Sequence, residues 1–262
     1  VSRISGLVCY MLAGGVIALI GAVGALWIDA ATFLISSAII WSIRYKENLQ
    51  GAKQTVKGVI QDFAEGFRFI RASRTIQTVS LIGLLINFGI MPLTVFQTPY
   101  VSDYLKMGPE TLSYIKILTS VGMITGSALL PKLGKIKTPV IAVAAGVIMG
   151  AALIEMSIAQ SLSSLALKMG ILTLSMLSIG FGGGLLNVII GSSVMKAVPK
   201  EMMGSISGFL TAMMQASMPV ASFICSALAV YFHIPHILVF FGSLTLICSL
   251  ALYFRKKLDA LS

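Results

Sequence analysis

Four ionisable side chains sit in stretches otherwise too apolar to hold them. Asp29 and Glu155 are carboxylates inside apolar runs, and Lys116 and Lys168 stand near the start of two others. Inside a bilayer such a group either carries a proton, its affinity set by burial or a neighbouring lysine, or reaches water or an opposite charge near a helix end. All four fall close to helix ends. The second reading is therefore favoured, at a cost well below the ~2.5–3.5 kcal/mol of a charge at mid-bilayer. Four amides, Asn87, Gln97, Asn187 and Gln215, also interrupt apolar runs. An amide there bonds either a passing solute or a neighbouring helix, the latter typically contributing about 0.6 kcal/mol.

Other chemistry is poorly supported. Gly180, Gly182, Gly183 and Gly184 lack the strand and the Lys-Ser/Thr context of a phosphate cradle, so they read as close packing or a bend. His233 and His236 flank Pro235, and two ligands make no metal site. Cys9, Cys225 and Cys248 lie in apolar runs with no paired spacing. No H-E-x-x-H, G-x-S-x-G or G-x-x-x-x-G-K-S/T occurs, so neither an embedded enzyme nor an ATP-driven pump is expected, and no cofactor.

The elements that hold these residues follow from composition. The chain is 57% hydrophobic and 11% charged, with mean hydropathy +0.96, far too apolar to solvate a soluble surface. An all-α, polytopic membrane protein is implied. Residues 4–43 carry one charge, Asp29. Forty helical residues reach about 60 Å, twice a hydrocarbon core of roughly 30 Å, so the run folds back at Gly21–Gly24 into helices 4–21 and 24–43. A linker, 44–75, follows with seven basic residues. In it Val56, Val59, Ile60, Phe63, Phe67 and Ile70 recur at helical spacing, the pattern of a helix lying on a membrane surface or of the core side of a small soluble helix. Six spans come next, at about 76–100, 111–130, 138–158, 165–195, 205–230 and 234–254, making eight in all.

Charge tests that wiring. Alternating spans put sixteen of the nineteen basic residues on the linker's side, leaving only Lys106, Lys116 and Lys168 elsewhere. The positive-inside rule then makes the linker and C-terminus cytoplasmic in a multi-pass cell-membrane protein. It also accounts for the net charge of +10 without a nucleic-acid partner.

Particular motifs add a resemblance. Asp62-Phe63-Ala64-Glu65-Gly66-Phe67-Arg68-Phe69-Ile70-Arg71 resembles the segment before the seventh helix of major facilitator superfamily (MFS) exporters, most closely the macrolide- and siderophore-efflux-like branch. Ile28-Asp29-Ala30-Ala31-Thr32-Phe33 is similar to that branch's sixth helix. Gly182-Gly183-Gly184-Leu185-Leu186-Asn187, with Val198-Pro199-Lys200-Glu201 and Gly204, resembles its tenth helix and the loop beyond. Two loops depart from the family: Pro131 to Lys137 holds no Asp, and Met203-Gly204-Ser205 lacks flanking basic residues.

The resemblance implies twelve helices in two six-helix bundles, working by alternating access around a midplane site. Residues 1–43 would be the last two helices of the first half, 44–75 the linker and 76–262 the second half. Four upstream helices would complete the transporter, and the chain alone is expected to insert without pumping. The resemblance places Asn87, Gln97, Asn187 and Gln215 on cavity-lining helices, where they would bond a bulky solute resting on Phe88, Phe96 or Phe209. It implies proton-coupled efflux of drug-like or siderophore-like small molecules. An importer of the same fold is the alternative.

Overall fold

The apolar runs fold as helices that end where prolines, glycines and charges interrupt them. The structure, a computed structural model, describes residues 24, 27–42, 67–134, 136–199 and 202–254. In chain order the helices are α1 (Trp27–Ser42), α2 (residues 67–72), α3 (Arg74–Pro99), α4 (Glu110–Leu129), α5 (Thr138–Ala159), α6 (Leu165–Ala197), α7 (Met203–Ala229) and α8 (Ile234–Phe254). The fold is all-α. Helices α3 to α8 are each long and apolar enough to cross a membrane, and their ends fall within about two residues of the expected spans. The expected span 4–21 and the linker from 44 to 66 lie outside the described residues. Helix α1 falls within the expected span 24–43, and all its described residues from Trp27 to Ser42 are exposed.

Helix pairing follows from side chains that are missing. On α4, Gly122 and Gly126 face the backbone of α6, where any Cβ would strike the carbonyls of Leu177 and Phe181. On α6, Gly180 and Gly184 return the arrangement against the carbonyls of Thr119 and Met123. Both are small-xxx-small spacings, and here two of them interlock. Helices α5 and α8 repeat the device once: a Cβ on Gly150 or on Gly242 would lie 2.7 Å from the other's carbonyl oxygen. The side chain of Met214 on α7 fills the notch at Gly83 of α3. Phe241, Ile115, Leu153, Met176 and Leu186 fill the centre of the bundle.

Two ends of the bundle can be told apart by what meets there. At one, Ile70 of α2 is buried with Ile76 and Val79 of α3, Val194 of α6 and Ile206 and Leu210 of α7. So the buried residue of the amphipathic segment packs on protein, whereas Phe67 is 54% exposed. Ser73 alone separates α2 from α3; its backbone is extended (φ −103°, ψ 112°) and its side chain caps α3 by accepting from the N–H of Ile76. At the other end the chain stays helical for five residues beyond α3, up to the expected break at Asp103. Pro99 has no N–H to continue the α-helical ladder, and the chain widens into a π-helical turn, Tyr100–Tyr104. Lys106 stops it in a left-handed conformation, φ 56°. The Tyr100 hydroxyl donates to the Met156 carbonyl at the end of α5. The Tyr104 hydroxyl accepts from the N–H of Ile234, at 3.4 Å, where α8 begins.

Candidate functional site

An exposed amide halfway along an apolar helix needs a polar partner. Counted from the end of the bundle where Ile70 packs, Asn87 stands about 20 Å along α3, Asn187 about 15 Å along α6 and Gln215 about 18 Å along α7. The three share a level. Gln97 lies about 35 Å along α3, near the opposite end, and is half-buried. Asn187 and Gln215 are exposed on the bundle surface. Thr211, one turn before Gln215, is exposed beside it and extends a polar stripe that the i, i+4 spacing makes readable in the sequence.

Asn87 has a different setting. It is half-buried, and its Nδ2 donates to the Met214 carbonyl of α7 at 3.1 Å. That bond lies one turn from the Gly83 notch, so two adjacent contacts hold α7 to α3. Asn87→Leu is expected to weaken the α3–α7 contact by about 0.6 kcal/mol, up to about 1.7. Thermal unfolding in detergent, beside the Asn87→Gln variant, measures this.

The aromatic residues separate. Phe96 is buried in the core, and Phe88 stacks on Phe241 with ring centroids 5.3 Å apart, so both serve packing first. Phe209 is half-buried on α7. An apolar groove of about 580 Å³ opens between the end of α7 and the start of α8, lined by Leu228, Phe232, His236, Ile237 and Phe240. It lies well away from the three amides along α7.

The ionisable candidates also have distinct surroundings. Asp29 is exposed on α1, Lys116 is exposed on α4 and Lys168 is half-buried on α6. Glu155 is half-buried on α5, and its Oε2 accepts from the hydroxyl of Ser175 on α6 at 3.3 Å. Ser175 is completely buried. The hydroxyls of Ser80, Thr119, Thr245 and Ser249 donate to carbonyls one turn back in their own helices. That of Ser175 is turned to the carboxylate instead. Nothing in the sequence ties Ser175 to Glu155, because the pairing depends on how α5 and α6 align. From Thr111 to Phe254, Glu155 is the only acidic residue among the described residues.

At the π-turn end, His233 Nδ1 stands 3.5 Å from the Tyr104 hydroxyl, and the His233 and His236 rings lie 6.2 Å apart. No group of three or more metal-ligating side chains gathers among the described residues.

No curated protein and no solved structure matches the chain. The family model of the Major Facilitator Superfamily matches residues 2–222. That match takes in α1 to α6 and most of α7, with the amide level and the interlocked α4–α6 pair. The chain belongs to the Major Facilitator Superfamily, a family of membrane transporters.

Proposed function

We propose that this transporter exports drug-like or siderophore-like small molecules in exchange for protons, by alternating access, from a cell membrane in which α2 and the C-terminus face the cytoplasm. The observation that supports it best is the shared level of Asn187 and Gln215. Both amides are exposed on otherwise apolar helices, a placement that suits a polar route for a solute and suits lipid badly. Gln97 would bond the same solute nearer the outer end, and Asn87 chiefly holds α7 in place. Small molecule, protons and bilayer are then the partners, with the helices of a first half-bundle supplying the facing wall.

For proton coupling, Glu155 is the favoured carrier. Apart from Glu110, exposed at the very start of α4, it is the one described carboxylate in α4 to α8, and Ser175 offers its hydroxyl to it. Asp29, Lys116 and Lys168 are assigned to helix-end contact with water or opposite charge. The test is accumulation of a fluorescent lipophilic dye in proteoliposomes of the transporter under an imposed pH gradient. Accumulation is expected only when the gradient drives efflux. Glu155→Gln is expected to abolish gradient-driven accumulation while downhill dye movement persists. Unchanged accumulation in that variant would remove Glu155 from the coupling role, and uptake driven in the opposite sense would establish an importer.

A further inference from the structure

The helix α2 presents two unlike faces. At 100° per residue Phe67, Arg71, Arg68 and Ala72 fall on one arc of about 140°, and all four are exposed. Phe69 and Ile70 fall on the other side, where Ile70 is 7% exposed against α3, α6 and α7. The Gln77 side chain fastens the segment again, its Nε2 donating to the Arg71 carbonyl at 2.7 Å. The extended Ser73 turns the chain between α2 and α3, so α2 does not continue the line of the spanning helix. Arg74, in the first turn of α3, is exposed beside it.

Among the described residues the surrounding charge has one sign. Arg68, Arg71, Arg74, Lys132, Lys137 and Lys196 stand at this end, and no acidic residue stands there among the described residues. An exposed aromatic ring flanked by arginines, on a helix turned away from its spanning neighbour, matches the interface between acyl chains and headgroups. Arginine's planar fork suits a phosphate oxygen pair.

We propose that α2 and the first turn of α3 bind anionic phospholipid headgroups, with Arg68, Arg71 and Arg74 on the phosphate and Phe67 at the acyl boundary. Ile70 anchors this lipid-binding strap to the ends of α3, α6 and α7. The inference rests on membrane placement and not on any transported solute, so it stands or falls apart from the export reading.

The test places the photo-crosslinker p-benzoylphenylalanine at position 67 of the whole chain. The protein is reconstituted in nanodiscs of phosphatidylglycerol and phosphatidylcholine in equal amounts, and lipid adducts are counted by mass spectrometry. Phosphatidylglycerol adducts are expected to exceed phosphatidylcholine adducts by about fivefold or more, the bias of one arginine near an anionic surface. Arg68→Gln, Arg71→Gln and Arg74→Gln together are expected to return the ratio to parity, and Lys132→Gln with Lys137→Gln to leave it. Salt at about 1 M, where the screening length falls to ~3 Å, should also bring the unaltered strap to parity. Parity in the unaltered strap at low salt would overturn the proposal. So would an excess that survives the arginine substitutions or the salt, or adducts to protein alone.

Discussion

Gly180→Val is expected to yield little or no folded protein. A Cβ at Gly180 meets the carbonyl oxygen of Thr119, and the atoms next in line are also α4 backbone. A flexible side chain can swing aside, but a helix carbonyl moves only with its helix. Separating α4 from α6 at this point also opens the contacts at Gly122, Gly126 and Gly184, since all four glycines share one interface. Overpacking of this kind typically costs 1–3 kcal/mol, and a backbone collision belongs at or above ~3 kcal/mol. The measure is the fraction that remains monodisperse on size exclusion after extraction and mild heating. The control lies in the same glycine run. A Cβ at Gly183 would lie 3.6 Å from the terminal methyl of Met123, an ordinary contact, and Gly183→Ala is expected to change stability by less than about 0.5 kcal/mol. Equal behaviour of the two variants would refute the interlock.

The second large effect concerns transport. Asn187→Leu is expected to lower the transport rate about tenfold while insertion and thermal stability stay unchanged. Tenfold corresponds to about 1.4 kcal/mol, the upper part of the range for one hydrogen bond. The side chain is exposed, so its loss removes little packing. Gln215→Leu should act in the same sense, and the pair together should lose less than the sum if both amides bond one solute. Asn87→Leu provides the contrast, because its amide already bonds the Met214 carbonyl and its substitution should register in stability first. An Asn187→Leu protein with unaltered transport would take the amide level out of the solute's path.

The spans were legible because each apolar run is long and is cut by chemically plain breaks, such as Pro131 with Lys132 or His233 with Pro235. The alternation of ends was legible from charge. Three features were not. The extension of α3 through Tyr100–Tyr104 arises from Pro99 and the left-handed Lys106, and an asparagine or glycine would have signalled that conformation where lysine does not. The docking of Ile70 on protein depends on the meeting of α3, α6 and α7, which the linker's own periodicity cannot report. The partners of Asn87 and Glu155 depend on alignment between helices 127 and 20 residues apart in sequence. Sequence spacing finds polar residues in apolar helices, but the neighbours decide which of them remain open to a solute.

The glycine interlock has one mechanical consequence. Carbonyls of α4 nest where α6 has no side chain, and the reverse, so neither rod can slip lengthwise along the other without first parting from it. The pair behaves as a single plank. Helix α7 has no such backbone nest: a flexible methionine, an amide and the apolar side chains Ile206 and Leu210 hold it, so rocking within the bundle is expected to bend there before it shears the plank.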